Sequence, residues 1–466
     1  MNNHKLVELI SLENWLYHGS IHGDEYVNGI VITKINNLII NDDLIKEMMF
    51  YLYKRHPLFR AHIYKDEVTG KVFFAIPVEY EKTANEMKYE RRQVSSKVKL
   101  IHDIEEFSCQ PLDYESSCIL WRLGLFEYEE DGDLNCAFVL VVPMYMTDGI
   151  NITVLCIELV NILNSLLKGE TCCEMIEQLD LIDNVHIIAE KSNLINENVC
   201  KKYEQYYKNE NEVLFNLPNK LMNCEDFGVK INLLKFNTSF TRKIVSFAKL
   251  NGIKINGLLT CAMFYAFKEL FEENKIFMQK DVSIFIPVNL RFRAVPNIDF
   301  SHARACVTAC NLNLFYPNFG KYENIIDEAK YVDQVLAEHI ENGSIYSFFI
   351  DEKFSHFPDL YKNSNLKSIY KLIDSERNCD IVFSNTGTYA SKKKLISGPI
   401  EIHELYFGDS LKCNPSQHNP FMLHCHTFND QLMFQLTTNR TKIHTNHSDR
   451  YMELFERHLM KVVSEK

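Results

Sequence analysis

The segment from Leu134 to Leu167 constrains the fold more than any other part of the chain. An apolar, strand-length stretch, Leu134 to Val142, runs into a short turn that ends in Asp148-Gly149. A helix-period apolar stretch follows from Ile150 to Leu167, closed by Lys168-Gly169. A strand that turns straight into a helix is a building unit of α/β and α+β domains. Cys118 to Phe126 is a second strand-length run, and the acidic turn Glu129-Glu130-Asp131-Gly132-Asp133 between the two runs predicts a hairpin.

The same reading extends along the chain. Gly29 to Thr33 alternates and is β-branched, and Asp42-Asp43 opens an amphipathic stretch from Leu44 to Lys54, so strand then helix is predicted. From about Thr171 to Phe227 the chain turns Asn-, Glu- and Lys-rich and loses its periodicity. A helical pair follows at Ser239 to Leu250 and Asn256 to Leu270. Strand-like runs return at Val282 to Val288, Ala305 to Phe315 and Asp380 to Ser384, then in a hairpin of Phe421 to Phe428 with Gln431 to Thr437. A last helix is predicted from His447 to Val463, with Ser448 as its N-cap. No period of about 20 to 50 residues recurs, which excludes a solenoid. The prediction is an α/β (α+β) fold of two similar-sized halves, residues 1–175 and 231–466, joined by a linker or crossover at 176–230.

Composition removes several function classes. A length of 466 residues suits two domains with sizeable cores. The net charge of −12 argues against a nucleic-acid surface, which needs a concentrated basic face. The tight basic run Lys392-Lys393-Lys394 reads as a solvated loop or as an attractor for the phosphates of a nucleotide-bearing cofactor. No apolar run is read as a membrane span and the N-terminus lacks a signal-peptide pattern, so a cytoplasmic protein is expected. The 14 cysteines, among them Cys136, Cys156, Cys261 and Cys379, sit in apolar segments as reduced thiols would. Cys306 with Cys310, His424 and His426 about Cys425, and His444 with His447 do not form the paired spacings of a zinc site, and no metal is expected.

Several separated stretches carry a resemblance. Arg55-His56-Pro57-Leu58-Phe59-Arg60-Ala61, Pro111-Leu112-Asp113 with Leu120-Trp121-Arg122-Leu123, Val142-Pro143-Met144-Tyr145-Met146-Thr147-Asp148-Gly149, Ile253 to Leu258, Ile286-Pro287-Val288-Asn289-Leu290-Arg291 and Asp380 to Gly387 appear in this order. Together they resemble the CoA-dependent acyltransferase superfamily: the chloramphenicol acetyltransferase-like proteins, condensation domains of peptide synthetases and alcohol acetyltransferases. Phe407-Gly408 resembles a remnant of the DFGWG element of the plant relatives. The resemblance implies two chloramphenicol acetyltransferase-like subdomains, each a mixed sheet flanked by helices, with a tunnel between them that acyl donor and acceptor enter from opposite faces.

The family's active-site motif is HHxxxDG, and its second histidine is the general base. Aligned on Asp148-Gly149, the two histidine positions fall on Pro143 and Met144. A thioether takes no proton, whereas an imidazole near its working pH typically contributes about 10²- to 10⁴-fold. The resemblance also implies that Asp148 is structural and pairs with Arg291, and Gly149 is read as permitting the sharp strand-to-helix turn. Tyr145, His302, His418 and His424 are the side chains that could replace the base. Each also has a plainer reading, Tyr145 as a packed aromatic, His418 as a loop residue and His424 as part of a strand. Pro143, Tyr145, Ser384 and Asn385 are candidate tunnel-lining residues. Two functions stay open: an acyltransferase that takes acyl-CoA as co-substrate and an alcohol or amine as acceptor, with no bound cofactor, or a silent relative that binds a ligand or partner. A carrier protein as partner finds no support in the sequence.

Overall fold

The computed structural model describes residues 4–23, 25–35, 38, 40–81, 83–114, 119–130, 132–207, 228–275, 282–314, 325–350, 379–389, 395–411, 421–440 and 443–464. The elements of the first half are β1 (His4–Glu8), α1 (Leu12–Gly23), β2 (Glu25–Lys34), α2 (Asp42–Arg55), β3 (His62–Lys65), β4 (Val72–Pro77), β5 (Tyr89–Val94), α3 (Lys97–Ser108), β6 (Arg122–Glu130), β7 (Asp133–Pro143) and α4 (Gly149–Lys168). Then come α5 (Cys173–Ile176), α6 (Val185–Lys191), α7 (Glu197–Tyr207), β8 (Val229–Lys235), α8 (Thr238–Leu250), α9 (Ile255–Glu273), β9 (Val282–Asn289) and β10 (Val307–Leu314). The last are α10 (Ile325–Glu341), α11 (Ser347–Ile350), β11 (Ile381–Thr388), β12 (Glu401–Leu411), β13 (Phe421–Phe428), β14 (Gln431–Asn439) and α12 (Thr445–Ser464).

Local signals account for many of these boundaries. α2 starts where the Asn41 side chain accepts the Leu44 amide, with Asp42 and Asp43 at its positive end and Lys54 and Arg55 at its negative end. Its buried stripe is Ile45, Met48, Met49 and Leu52. Ser448 is not the N-cap predicted for the last helix. α12 begins three residues earlier, and the Ser448 hydroxyl is buried between Thr438 and Asn232, at 2.8 and 2.7 Å. This inward hydroxyl ties α12 to β14 and β8.

Two mixed sheets form the body. One has the strand order β12-β2-β7-β6-β5, the other β10-β9-β11-β13-β14-β8, and β1, β4 and β3 make a small antiparallel sheet beside them. The hairpin β6–β7 pairs Arg122 to Glu130 with Val141 to Asp133. β12 was not visible in the local sequence pattern. It pairs antiparallel with β2 from Glu401↔Lys34 to Leu411↔Glu25, so a strand from the last part of the chain completes the sheet of the first part. The two large sheets meet where β12 passes β13 and β14, and there Gln435 donates to the Asn28 side chain at 3.1 Å. Gly408 lets that contact form, because a Cβ there would lie 2.2 Å from the Gln435 amide nitrogen.

α4 lies over β2, with Ile152 and Cys156 directly above Gly29. By length and composition α4 could cross a membrane, which the sequence reading missed. Here, 89% of its most apolar window is buried inside the fold, as in the core helix of a globular domain. Opposite, α9 and α12 cover the second sheet through Phe267, Phe421 and Tyr451. The predicted linker 176–230 includes α6 and α7. α6 is docked: His186 Nδ1 and Ser11 Oγ are 2.8 Å apart, and the Asn184 side chain donates to the Ile10 carbonyl.

Candidate active site

β7 ends at Pro143, a short 3₁₀ turn spans Met144–Met146, and α4 begins at Gly149. Asp148 is the N-cap of α4. Its Oδ1 accepts the amides of Ile150 (3.1 Å) and Asn151 (2.9 Å), satisfying two of the helix's orphan donors. Its Oδ2 accepts Arg291 Nη1 at 2.5 Å and the Cys306 amide at 2.8 Å. Arg291 follows β9, is fully buried, and donates its Nη2 to the Arg304 carbonyl at 2.9 Å. Residues 143 positions apart thus bind the start of α4 to the strand pair β9–β10. Burial works against the guanidinium charge, but the adjacent Asp148 carboxylate outweighs it and holds the Arg291 pKa above its usual value.

A second buried pair stands beside the first. Arg304 donates through Nε and Nη2 to both oxygens of Glu13 in α1, at 2.5 and 3.0 Å. Cys306 lies between the two arginines, and burial pushes its thiol up to about 11, so it stays protonated and is no nucleophile near neutral pH.

Gly149 has a different role from the one read in the sequence. A Cβ at Gly149 would sit 2.4 Å from Cε2 of Phe407 on β12, so the glycine makes room for an aromatic ring from the last part of the chain. Gly149→Ala should destabilise by about 1–3 kcal/mol through overpacking, read as a drop in the thermal unfolding midpoint. An unchanged midpoint would mean that Phe407 moves aside freely. Tyr389 closes the other side, its hydroxyl donating to the Gly149 carbonyl at 3.2 Å.

The predicted lining residues are placed unequally. Tyr145 is completely buried between Tyr17 and Phe74, with ring centroids 5.6 and 5.7 Å away. Burial raises its pKa far above the ordinary phenol value, so it supplies no base, and a sealed ring lines no solvent-reached tunnel. Pro143 is buried too, and Met144 is half-buried against the core. Ser384 is buried on β11, and Asn385 donates to the Asn256 side chain at 2.6 Å.

Of the candidate bases, His418 and the run Lys392 to Lys394 lie outside the described residues. The His302 backbone carbonyl accepts the Asn151 side chain of α4 at 3.1 Å. His424 is buried on β13, with Asp409 of β12 at 3.4 Å from its Nε2.

The Arg55 to Ala61 stretch packs against α4. Glu158, fully buried on that apolar helix, lies 2.8 Å from His56 Nε2 and 3.5 Å from Arg55 Nε. Burial lowers the His56 pKa and Glu158 pulls it back up. The sequence reading missed Glu158, although a carboxylate within an apolar helix was the signal. Phe59 stacks on Trp121 at 5.0 Å, and the Trp121 indole donates to the Phe59 carbonyl. Among the described residues, His102, Asp103 and Glu106 bring donor atoms within 4.8 Å of one another, but Lys99 and Arg92 already engage the two carboxylates. Cys136, Cys156, Cys261 and Cys379 are buried.

Comparison with known proteins places this geometry. Residues 226–388 match the family described as phthiocerol/phthiodiolone dimycocerosyl transferase C-terminus. No curated protein matches the sequence. Trichothecene 15-O-acetyltransferase from Fusarium sporotrichioides is similar over 99% of this chain and 95% of its own, at a TM-score of 0.70 and 11% identity. The first condensation domain of the calcium-dependent antibiotic synthetase matches over 99% and 97%, at 0.68 and 12%. Polyketide synthase associated protein 5 from Mycobacterium tuberculosis matches over 99% of both chains, at 0.64 and 14%. This chain shares the fold of these acetyltransferase and condensation-domain structures. Within the superfamily motif HHxxxDG, this chain has Pro143 and Met144 at the histidine positions, and Asp148 and Gly149 are in place at the start of α4.

Proposed function

We propose that this chain transfers an acyl group from an acyl thioester, with acyl-CoA as co-substrate, to a small hydroxyl or amine acceptor in the cytoplasm. The observation that carries the reading is the buried Asp148–Arg291 pair at the start of α4. A buried ion pair contributes little stability beyond what apolar residues of similar volume would give. Its value here is to fix the turn after β7, where the superfamily's chemistry takes place. Buried free thiols such as Cys136 and Cys261 agree with a reducing compartment.

Holding donor and acceptor together supplies much of the rate in such a site, since effective molarities convert to several kcal/mol (about 7 or more in well-oriented cases). The acceptor's proton must go to a group other than Met144. Amine acceptors depend on that group less than alcohols do, because the nitrogen lone pair attacks a thioester without prior deprotonation.

Met144 and Pro143 favour a second reading, a silent relative that holds an acyl thioester, another ligand or a partner such as a carrier protein without turnover. Two measurements on the purified protein separate them: calorimetric binding of octanoyl-CoA, and thiol release from it with butylamine or 1-butanol. Binding with acceptor-dependent thiol release is expected. Binding without release selects the silent reading, and absence of binding overturns both for this ligand class.

A further inference from the structure

We infer that Ser11 and His186 form a nucleophile–base dyad that hydrolyses small acyl esters and thioesters through an acyl-serine intermediate. This activity goes beyond acceptor-dependent transfer and uses no residue of the Asp148-Gly149 turn.

Ser11 stands at a sharp turn between a strand and a helix. β1 ends at Glu8, α1 starts at Leu12, and Ser11 has a φ of 47°. A residue with a side chain seldom takes this left-handed conformation, and such strain collects at functional sites. A strained serine between strand and helix is also the geometry that lifts a nucleophilic hydroxyl clear of the backbone. A serine at the start of a helix ordinarily accepts an amide of the first turn. Ser11 Oγ instead lies 2.8 Å from Nδ1 of His186, 175 positions away on α6. A hydroxyl within hydrogen-bond distance of an imidazole is the pairing that activates a serine.

The surroundings hold the two groups in place. Asn184 caps α6 by accepting the His186 amide at 2.8 Å, and its side-chain nitrogen donates to the carbonyl of Ile10, the residue before Ser11, at 3.4 Å. One side chain therefore positions both partners. The His186 ring meets the Phe349 ring edge-on, with centroids 5.6 Å apart. Arg304 adds a second clamp, since it binds Glu13 in the first turn of α1 and donates to the Ile182 carbonyl ahead of α6. Ser11 and His186 are each half-buried, and 19% of the His186 side chain is exposed, so a small substrate has access to the pair from solvent. Glu190, one turn along α6, has a carboxylate oxygen 3.3 Å from His186 Nε2 and attracts the ring once it is charged. Among the described residues the Leu12 amide has no hydrogen-bond partner, and the amide that follows the nucleophile is the one such turns offer to a developing oxyanion.

The reactive form has the ring hydrogen on Nε2 and the lone pair on Nδ1. Ser11 Oγ bonds to the substrate carbonyl carbon as its proton passes to Nδ1. The bond to the alkoxide or thiolate then breaks, and that leaving group takes the proton from Nδ1. Water attacks the resulting acyl-serine and gives a proton to Nδ1, which returns it to Ser11 Oγ as the acyl–oxygen bond breaks. The products are a carboxylic acid and an alcohol or thiol, and the dyad is restored.

The test uses the full chain with p-nitrophenyl butyrate and no added acceptor, and separately with a fluorophosphonate that modifies activated serines. The wild type should release p-nitrophenolate faster than the same protein unfolded in urea, and peptide mass spectrometry should find the phosphonyl adduct on Ser11. Ser11→Gly accepts the left-handed backbone and so keeps the turn, as circular dichroism and the thermal midpoint verify. It should lose both release and labelling. His186→Gln should lower release by about 10²-fold or more with the fold intact. Nitrogen NMR of His186 should show the hydrogen on Nε2. Release no faster than from the unfolded protein, release that survives Ser11→Gly, an adduct on another residue, or a ring hydrogen on Nδ1 would each overturn the dyad.

Discussion

Arg291→Ala should lower the free energy of unfolding by about 3–5 kcal/mol, the usual cost of leaving one member of a buried pair without the other. The stranded partner is the Asp148 carboxylate, 5% exposed, which would retain only the amides of Ile150, Asn151 and Cys306. Asp148→Ala should cost a similar amount and also remove the N-cap of α4, worth about 1 kcal/mol. The double variant Asp148→Leu with Arg291→Met should lose much less than the sum of the single changes, because no charge is left buried. Urea unfolding of the wild type, the matching single variants Asp148→Leu and Arg291→Met, and the double variant completes the cycle. Additive losses would mean that the two side chains are not coupled and that the seam depends on neighbouring packing.

The second large effect is expected at Glu158. Glu158→Gln leaves the Arg55 guanidinium buried without its α4 partner and should cost about 3 kcal/mol at neutral pH. The variant should also change the pH dependence. His56 is neutral in the fold because burial lowers its pKa, while in the unfolded chain it titrates near 6.5. Below about pH 6.5 the unfolded state binds a proton that the folded state refuses, so stability falls as pH falls. Glu158 resists this by raising the folded pKa. Without it, the acid loss should be larger and continue to lower pH, as urea midpoints at about pH 8, 6.5 and 5 would reveal. A parallel offset between wild type and variant at every pH would mean that Glu158 acts on Arg55 alone.

The legible and illegible parts of this molecule differ in range. Helices α2, α4, α8 and α9 could be read because helix-period apolar residues lie within each segment, and the first three also carry side-chain N-caps. Asp148 and Arg291 were paired on the strength of a family motif, since nothing in local spacing links positions so far apart. β12 escaped because its pairing with β2 is a tertiary contact between opposite ends of the chain, and its role as a strand depends on that partner. The misreading of Gly149 follows from the same gap. Its close neighbour is Phe407 of β12, so without β12 the glycine could only be read as a turn residue. His424 was visible as a strand histidine, whereas Asp409 became its partner only once β12 was placed against β13. Ser448 was misjudged because its burial between Asn232 and Thr438 has no local signature.

The central claim is that acyl transfer persists with a thioether where the superfamily's base stands. Acceptor-dependent thiol release from octanoyl-CoA, compared between the wild type and Met144→Ala, tests it most directly. The account predicts release from both proteins at similar rates, since Met144 takes no proton. Absence of release from the folded, octanoyl-CoA-binding wild type, or its loss on removing the Met144 thioether alone, would contradict it.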